Sequence, residues 1–194
     1  LKNYNQRQEG IKIVTSWDEI NSDVNRNEFY LIQEYLYDPF IISKRKTNIR
    51  VYYLVVCRNG HIEGYIYYNG FMYYTPQFYD PSSTDFDKHI TTGYIDRQVY
   101  VENPLTIQDL REYLGVERAA TLDKNIRKAM KHVTMALANN ICTNNTNDKV
   151  KFQVYGVDIA PLSDLSVKLM EINKGPDLNA KDERDGFVKK NMQL

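Results

Sequence analysis

The sequence predicts an α+β fold built on an antiparallel sheet with packed helices, and three observations lead there. Runs rich in Val, Ile and Tyr are punctuated by Asn59-Gly60 and Asn69-Gly70. Asn-Gly is the strongest short hairpin signal, because both residues tolerate the positive φ of a type I′ turn. Further on, Leu122, Ile126, Ala129, Met130, Val133, Leu137 and Ile141 recur at steps of three and four, which is one apolar helix face. The chain's 194 residues, 42% apolar and 26% charged, are enough to bury a core in one domain or slightly more.

Taken in order, Gly10 to Val14 reads as a short strand, and Ser16-Trp17-Asp18-Glu19 has the Ser-x-x-Glu form that closes the first turn of a helix. Phe29 to Leu36 reads as a second strand ended by Asp38-Pro39. Asn48 to Cys57, His61 to Tyr68 and Phe71 to Thr75, joined at the two Asn-Gly pairs, predict an antiparallel meander. Pro76 to Pro104 is a loop longer than most connections, and such loops are functional or mobile. Thr106 to Leu114 is a short helix stopped by Gly115, and Leu122 to Cys142 is a long one. After a polar loop over Thr143 to Asp148, Phe152 to Ile159 and Val167 to Asn173 form two strands around a Leu162-Ser163-Asp164 turn.

Composition excludes several functions. Lys plus Arg and Asp plus Glu number 25 each, so no global field draws the chain to nucleic acid or an anionic membrane, and any anion site is local. The longest apolar run, Ile49 to Cys57, contains Arg50 and is far short of the roughly 20 residues of a membrane span. Two cysteines, Cys57 and Cys142, make no disulfide framework or metal cluster; they read as buried thiols in a reducing, cytoplasmic setting. The first residue is Leu1, with no leader before it, so the chain is expected to be a piece of a longer one.

The sharpest chemical constellation lies on the last hairpin. Glu171 and Asn173 are two apart on a strand and share a face. A turn near Ser163 to Ser166 sets Asp158 opposite Glu171 on the neighbouring strand. Facing carboxylates repel unless a cation lies between them, and an oxygen-only set of two carboxylates and an amide suits Mg²⁺, which completes its shell with phosphates. The plainer reading is a solvated hairpin end. A second feature is the cationic entry Lys44-Arg45-Lys46, where Lys46, Asn48 and Arg50 alternate onto one face able to grip a phosphate chain, or simply to solubilise a strand end. A third is Gln33-Glu34-Tyr35-Leu36, whose backbone can meet a flat base while Tyr35 or Leu36 packs on it, or which is ordinary strand.

Five phrases occur in the order and spacing of one family: Ile32-Gln33-Glu34-Tyr35-Leu36, Arg45-Lys46-Thr47-Asn48-Ile49-Arg50-Val51-Tyr52, His89-Ile90-Thr91-Thr92, Tyr155-Gly156-Val157-Asp158 and Met170-Glu171-Ile172-Asn173. In these the chain resembles the tubulin tyrosine ligase-like family of ATP-grasp ligases over nearly its whole length. The resemblance implies residues 1–36 as the end of the small ATP-grasp subdomain and 37–194 as the carboxy-terminal subdomain, with the upstream part of the fold outside this chain. It implies an adenine pocket along Gln33, Glu34, Tyr35 and Leu36, nucleotide contacts from Lys46, Asn48, Thr91, Thr92 and Leu169, catalytic roles for Lys46 and Arg50, and Mg²⁺ held by Asp158, Glu171 and Asn173.

The implied reaction is ATP-dependent. A protein or peptide carboxylate, with tubulin among the candidates, is phosphorylated to an acyl phosphate, and a free amino acid's amine attacks it to form an amide. Three positions depart from the family's pattern. Asn48 replaces the Asp of Lys-x-Asp-x-Arg, Thr92 stands where Asn follows His-x-Thr, and an arginine that holds the incoming amino acid falls near Tyr73. They motivate an alternative, a catalytically degenerate ATP-grasp module that binds or supports; a nucleotide sensor that binds ATP without consuming it is a third class.

Overall fold

A computed structural model of the chain describes residues 10–23, 31–91, 95–142 and 150–193. Its elements are α1 (Trp17–Asp23), β1 (Ile41–Ile42), β2 (Arg45–Arg58), β3 (His61–Tyr74), α2 (Phe86–His89), α3 (Val99–Glu102), α4 (Ile107–Leu114), α5 (Val116–Ile141), β4 (Lys151–Pro161), β5 (Val167–Lys174) and α6 (Glu183–Gln193). The chain divides into two compact units, Leu1–Thr47 with Tyr73–Asn103, and Asn48–Met72 with Pro104–Leu194. The β2–β3 hairpin contributes residues to both.

In the first unit α1 starts where the Ser-x-x-Glu pattern places it. The Glu19 amide donates to Ser16 Oγ at 3.2 Å, and the Glu19 carboxylate accepts from the Thr15 amide and hydroxyl at 3.1 and 2.7 Å. The two strands expected around this helix do not form: residues 10–14 and 31–36 show only isolated bridges at Ile11 and Leu31, and Phe29 and Tyr30 lie outside the described residues. Leu31 and Ile32 are exposed, so their apolar pattern marks no buried ladder, while Tyr35 directs its side chain into a polar cluster described below. β1 pairs antiparallel with β2, Ile42 opposite Arg45, through a two-residue turn in which Ser43 and Lys44 both take positive φ, 46° and 63°. Nothing in Ser-Lys announces such a turn; it is held by the Ser43 hydroxyl donating to Asn103 Oδ1 at 2.6 Å, while Asn103 Nδ2 donates to the Val99 carbonyl. Pro76 to Pro104 is long but not featureless. It carries α2, capped by Asp85, and α3, whose Tyr100 ring meets Tyr74 edge-on.

The second unit is a sheet backed by α5. β2 turns at Asn59 and Gly60, with φ of 50° and 77°, as the first Asn-Gly predicts. The second Asn-Gly is no turn: β3 runs unbroken from His61 to Tyr74, so the three-stranded meander is corrected to one long hairpin. Asn69 is buried and its Oδ1 accepts from the amides of Gly70 and Gln108, while a Cβ on Gly70 would collide with the Arg50 carbonyl. This glycine allows close backbone approach rather than a reversal. β2 pairs antiparallel with β4 from Ile49 opposite Ile159 to Cys57 opposite Lys151, and β4 pairs with β5. Ile49, Val51, Tyr53, Val55 and Cys57 alternate into the core, and α5 presents Leu122, Ile126, Met130 and Val133 as its buried stripe. Each fully buried aliphatic side chain contributes about 1.5–3 kcal/mol. The Tyr53 hydroxyl ties α5 to β2 by donating to the Met130 carbonyl at 3.2 Å and bonding the Thr134 hydroxyl.

α4 opens with a capping box of Thr106 and Asp109, and Gly115 at φ 74° separates it from α5, which starts at Val116, before the apolar stripe does. α6 was not legible as a helix; a buried Lys189–Asp185 pair at 3.0 Å, rather than an apolar face, anchors it. The thiol expectation is also corrected. Cys57 and Cys142 form a disulfide, Cα atoms 5.4 Å apart and 85 residues separated in sequence. Spacing alone could not show that the ends of β2 and α5 meet; closing so long a loop stabilises by about 4.5 kcal/mol in chain-entropy terms. The inference of a reducing compartment loses its basis. Among the described residues no helix is long and apolar enough to cross a membrane.

Gly70→Ala is expected to lower unfolding stability by about 2–3 kcal/mol, read as a shift of the urea midpoint, because Cβ meets backbone that cannot swing aside.

Candidate functional site

Two groups of side chains stand out, one in each unit. In the second unit, register places Arg50 on β2, Asp158 on β4 and Glu171 on β5 in one row across three strands. Arg50 Nε and Nη2 donate to the two Asp158 oxygens at 2.5 and 2.8 Å, a bidentate pair with side chains 16% and 18% exposed. Such forked, charge-assisted bonds are the stronger class, and removing one partner at this depth would leave the other charge uncompensated, at a cost of about 3 kcal/mol. Asn173 Nδ2 reaches Asp158 Oδ2 at 3.5 Å. The sequence therefore placed Asp158 opposite Glu171, and Glu171 with Asn173, as the ladder has them. Two details were beyond it. Opposite the Asp158–Ile159 step β5 carries an extra residue, Met170, since Glu171 pairs Asp158 but Leu169 pairs Ile159. This bulge sets Leu169, 45% exposed, outside the regular alternation. Gly156 is the other: a Cβ there would lie 3.2 and 3.3 Å from Arg50 Nη1 and Cδ and 2.9 Å from Pro176 Cβ, so the missing side chain leaves room for the guanidinium.

The donor set of Asp158, Glu171 and Asn173 fits a small hard cation. Its two carboxylates and the Asn173 Oδ1 are hard oxygen donors, and Mg²⁺ is commonly held by one or two carboxylates with water and phosphate completing the octahedron. Among the described residues no group of three or more His, Cys, Asp or Glu gathers as a metal cage, which leaves this pair with the amide. Arg50 already offsets one of the two negative charges.

In the first unit, Lys46 is buried, 7% exposed, and among the described residues no carboxylate pairs with it. Its Nζ donates to the Tyr35 hydroxyl at 3.1 Å and lies 4.5 Å from the centre of the Tyr35 ring. Burial without a counter-charge lowers its pKa from 10.5 to about 8. The Tyr35 hydroxyl bonds His89 Nδ1 at 2.7 Å, and His89 Nε2 faces the Ser83 carbonyl at 2.6 Å. Burial, with Tyr79 nearby, raises the Tyr35 pKa, and burial is the main cause lowering that of His89. His89 is the residue that sequence reasoning passed over as a site residue; its signal was the phrase His89-Ile90-Thr91. Next to this cluster is an open cleft of about 510 Å³, lined by Arg45, Gln77, Phe78, Tyr79, Asp80 and Lys88. Arg45 is fixed there by the Thr75 and Pro76 carbonyls and by the Phe78 ring.

Of the other sequence-predicted residues, Gln33 and Glu34 are exposed, Leu36 and Asn48 half-buried and Thr91 buried, whereas Thr92 lies outside the described residues.

Comparison with known proteins places this architecture. The fold is of the ATP-grasp-like α+β class. The family model described as the tubulin-tyrosine ligase family matches residues 2–193, and the chain belongs to that family. Among its relatives are the probable tubulin polyglutamylase TTLL9 of Rattus norvegicus, 26% identical over 184 residues that cover 90% of this chain and 40% of the relative. The probable tubulin–tyrosine ligase PBY1 of Saccharomyces cerevisiae is 28% identical over 172 residues, 81% of this chain and 22% of the relative. The protein polyglycylase TTLL10 of Macaca fascicularis is 23% identical over 167 residues, 77% of this chain and 26% of the relative. The chain thus spans less than half the length of these curated relatives.

The state of Lys46 predicts a pH signature. Its folded pKa, about 8, lies below the unfolded value, so between those two values the unfolded chain binds more protons and stability rises with pH. Lys46→Met is expected to remove that rise and to stabilise the fold by on the order of 2 kcal/mol at pH 7. Thermal melts from pH 6 to 10.5 read both.

Proposed function

We propose that the protein is an ATP-dependent carboxylate–amine ligase of the tubulin tyrosine ligase type, which adds an amino acid to a protein or peptide carboxylate. The observation that carries this reading is the row Arg50–Asp158–Glu171, in which two facing carboxylates and an amide offer the oxygen set that magnesium takes with a nucleotide. In the reaction the acceptor carboxylate oxygen takes the γ-phosphoryl group of ATP and ADP leaves. The amino acid's nitrogen then attacks the acyl carbon, phosphate departs and an amide remains. No side-chain nucleophile is needed, which agrees with a chain whose two cysteines are joined to each other.

The residues divide the work. Asp158, Glu171 and Asn173 would hold Mg²⁺, which when bound would offset the charge of the transferred group. Arg50 orients Asp158 and supplies a second, fixed positive charge. Lys46 meets nucleotide phosphate, and that role accounts for a buried ammonium whose partners among the described residues are a hydroxyl and a ring face. Gln33, Glu34, Tyr35 and Leu36 take the adenine, and Asn48, Thr91, Thr92 and Leu169 complete the nucleotide contacts. The relatives' names point to tubulin as the acceptor class and to glutamate, glycine or tyrosine as the added residue. A second reading, a degenerate module that has kept the fold, is favoured by Asn48, which has lost the charge of the family's Asp.

The test is an incubation of the full-length protein with Mg²⁺, ATP, an amino-acid mixture and tubulin. ADP release that requires both amino acid and tubulin, with tubulin gaining whole residues by mass, is expected. No amide product in the parent together with a large gain in Asn48→Asp would favour the degenerate module, and no product in either would remove the ligase reading.

A further inference from the structure

Among the described residues no opposite charge holds the Lys46 ammonium, and what holds it is specific. Nζ donates to the Tyr35 hydroxyl oxygen and lies over the Tyr35 ring, so one side chain supplies both of its described contacts. The Ser83 carbonyl can only accept, so His89 Nε2 carries a proton toward it. With Tyr35 oxygen accepting from the ammonium, its own proton goes to His89 Nδ1 at 2.7 Å. The result is a directed chain, Lys46 to Tyr35 to neutral His89, closed by His89 to the Ser83 backbone. Edge-on contacts of the His89 ring with Tyr35 and Tyr79, 5.3 and 5.5 Å between centroids, keep the imidazole in place. The groups that face His89 are Tyr35, Tyr79, Lys46, Asp80 and Asp85.

We propose that Tyr35 and His89 are positioning residues for Lys46: the neutral imidazole fixes the direction of the Tyr35 hydroxyl, and Tyr35 fixes the ammonium for a phosphate of the nucleotide. The inference rests on the reading that Lys46 meets phosphate, and it adds the parts that aim it. Gln at position 89 carries an acceptor and a donor on one amide and can continue the chain to Ser83; Leu fills similar space and cannot.

The experiment compares dissociation constants of Mg²⁺-ATP and of adenosine, by calorimetry on the full-length protein, for the parent, Lys46→Ala, Tyr35→Phe, His89→Leu and His89→Gln. Thermal melts accompany each. Lys46→Ala is expected to erase most of the preference for ATP over adenosine. Tyr35→Phe and His89→Leu are expected to reduce that preference about tenfold or more, the size of one lost hydrogen bond to a charged group; adenosine affinity stays unchanged in His89→Leu, and His89→Gln restores the preference. If Lys46→Ala leaves the preference intact, the phosphate role itself falls and the positioning role with it. If Lys46→Ala removes it while Tyr35→Phe or His89→Leu does not, only the positioning role is overturned. Equal losses for ATP and adenosine, tracking the melts, would make the two residues merely structural and overturn the inference as well.

Discussion

Arg50 meets Asp158 through two parallel hydrogen bonds, and the candidate site of the second unit depends on that pair. A carboxylate set between β2 and β5 faces Glu171 across the ladder, and without a cation the two charges would oppose pairing of β4 with β5. Arg50 removes most of that cost inside the sheet. Its guanidinium has room because position 156 is glycine, and its carbonyl lies against Gly70 of β3, where a side chain would not fit. One arginine on β2 therefore constrains residues on three other strands.

The same strand shows how a fold can leave charge unspent for function. Five positions of β2 go fully into the core, while the alternate ones carry Lys46, Asn48 and Arg50. Arg50 is satisfied by a carboxylate, whereas Lys46 is buried against a phenol and loses basicity. That is an expensive way to place an ammonium if stability were its only purpose, and perturbed groups of this kind concentrate at functional sites. Its Tyr35 and His89 neighbours carry complementary donors and acceptors, which turns a destabilising burial into a defined direction.

What could be read from the sequence follows from how local each signal is. Strand alternation and a turn near Ser163 were enough to put Asp158 opposite Glu171, because register in a short hairpin is set by its own residues. The helix stripe of α5 and the Gly115 stop after α4 were legible for the same reason. Asn69-Gly70 misled because glycine serves a turn and a close backbone approach equally well, and only the position of the Arg50 carbonyl tells them apart. The Ser43-Lys44 turn was silent, since its positive φ values are held by Asn103, sixty residues away. The Cys57–Cys142 bridge and the His89 contact to Tyr35 are likewise long-range, and spacing carries no information about them. Leu31 to Leu36 looked like strand because apolar and aromatic residues also suit an exposed segment that offers its side chains elsewhere.

On the proposed function, the Asp158–Glu171 row binds a divalent cation together with a nucleotide. Paramagnetic resonance of Mn²⁺, substituted for Mg²⁺ and titrated into the full-length protein with and without ATP, measures this directly. Stoichiometric Mn²⁺ binding is expected, strengthened by ATP and weakened about tenfold or more in Glu171→Gln, with the thermal midpoint of that variant nearly unchanged. Binding that is the same in the parent, Glu171→Gln and Asp158→Asn, or that does not respond to ATP, would contradict it.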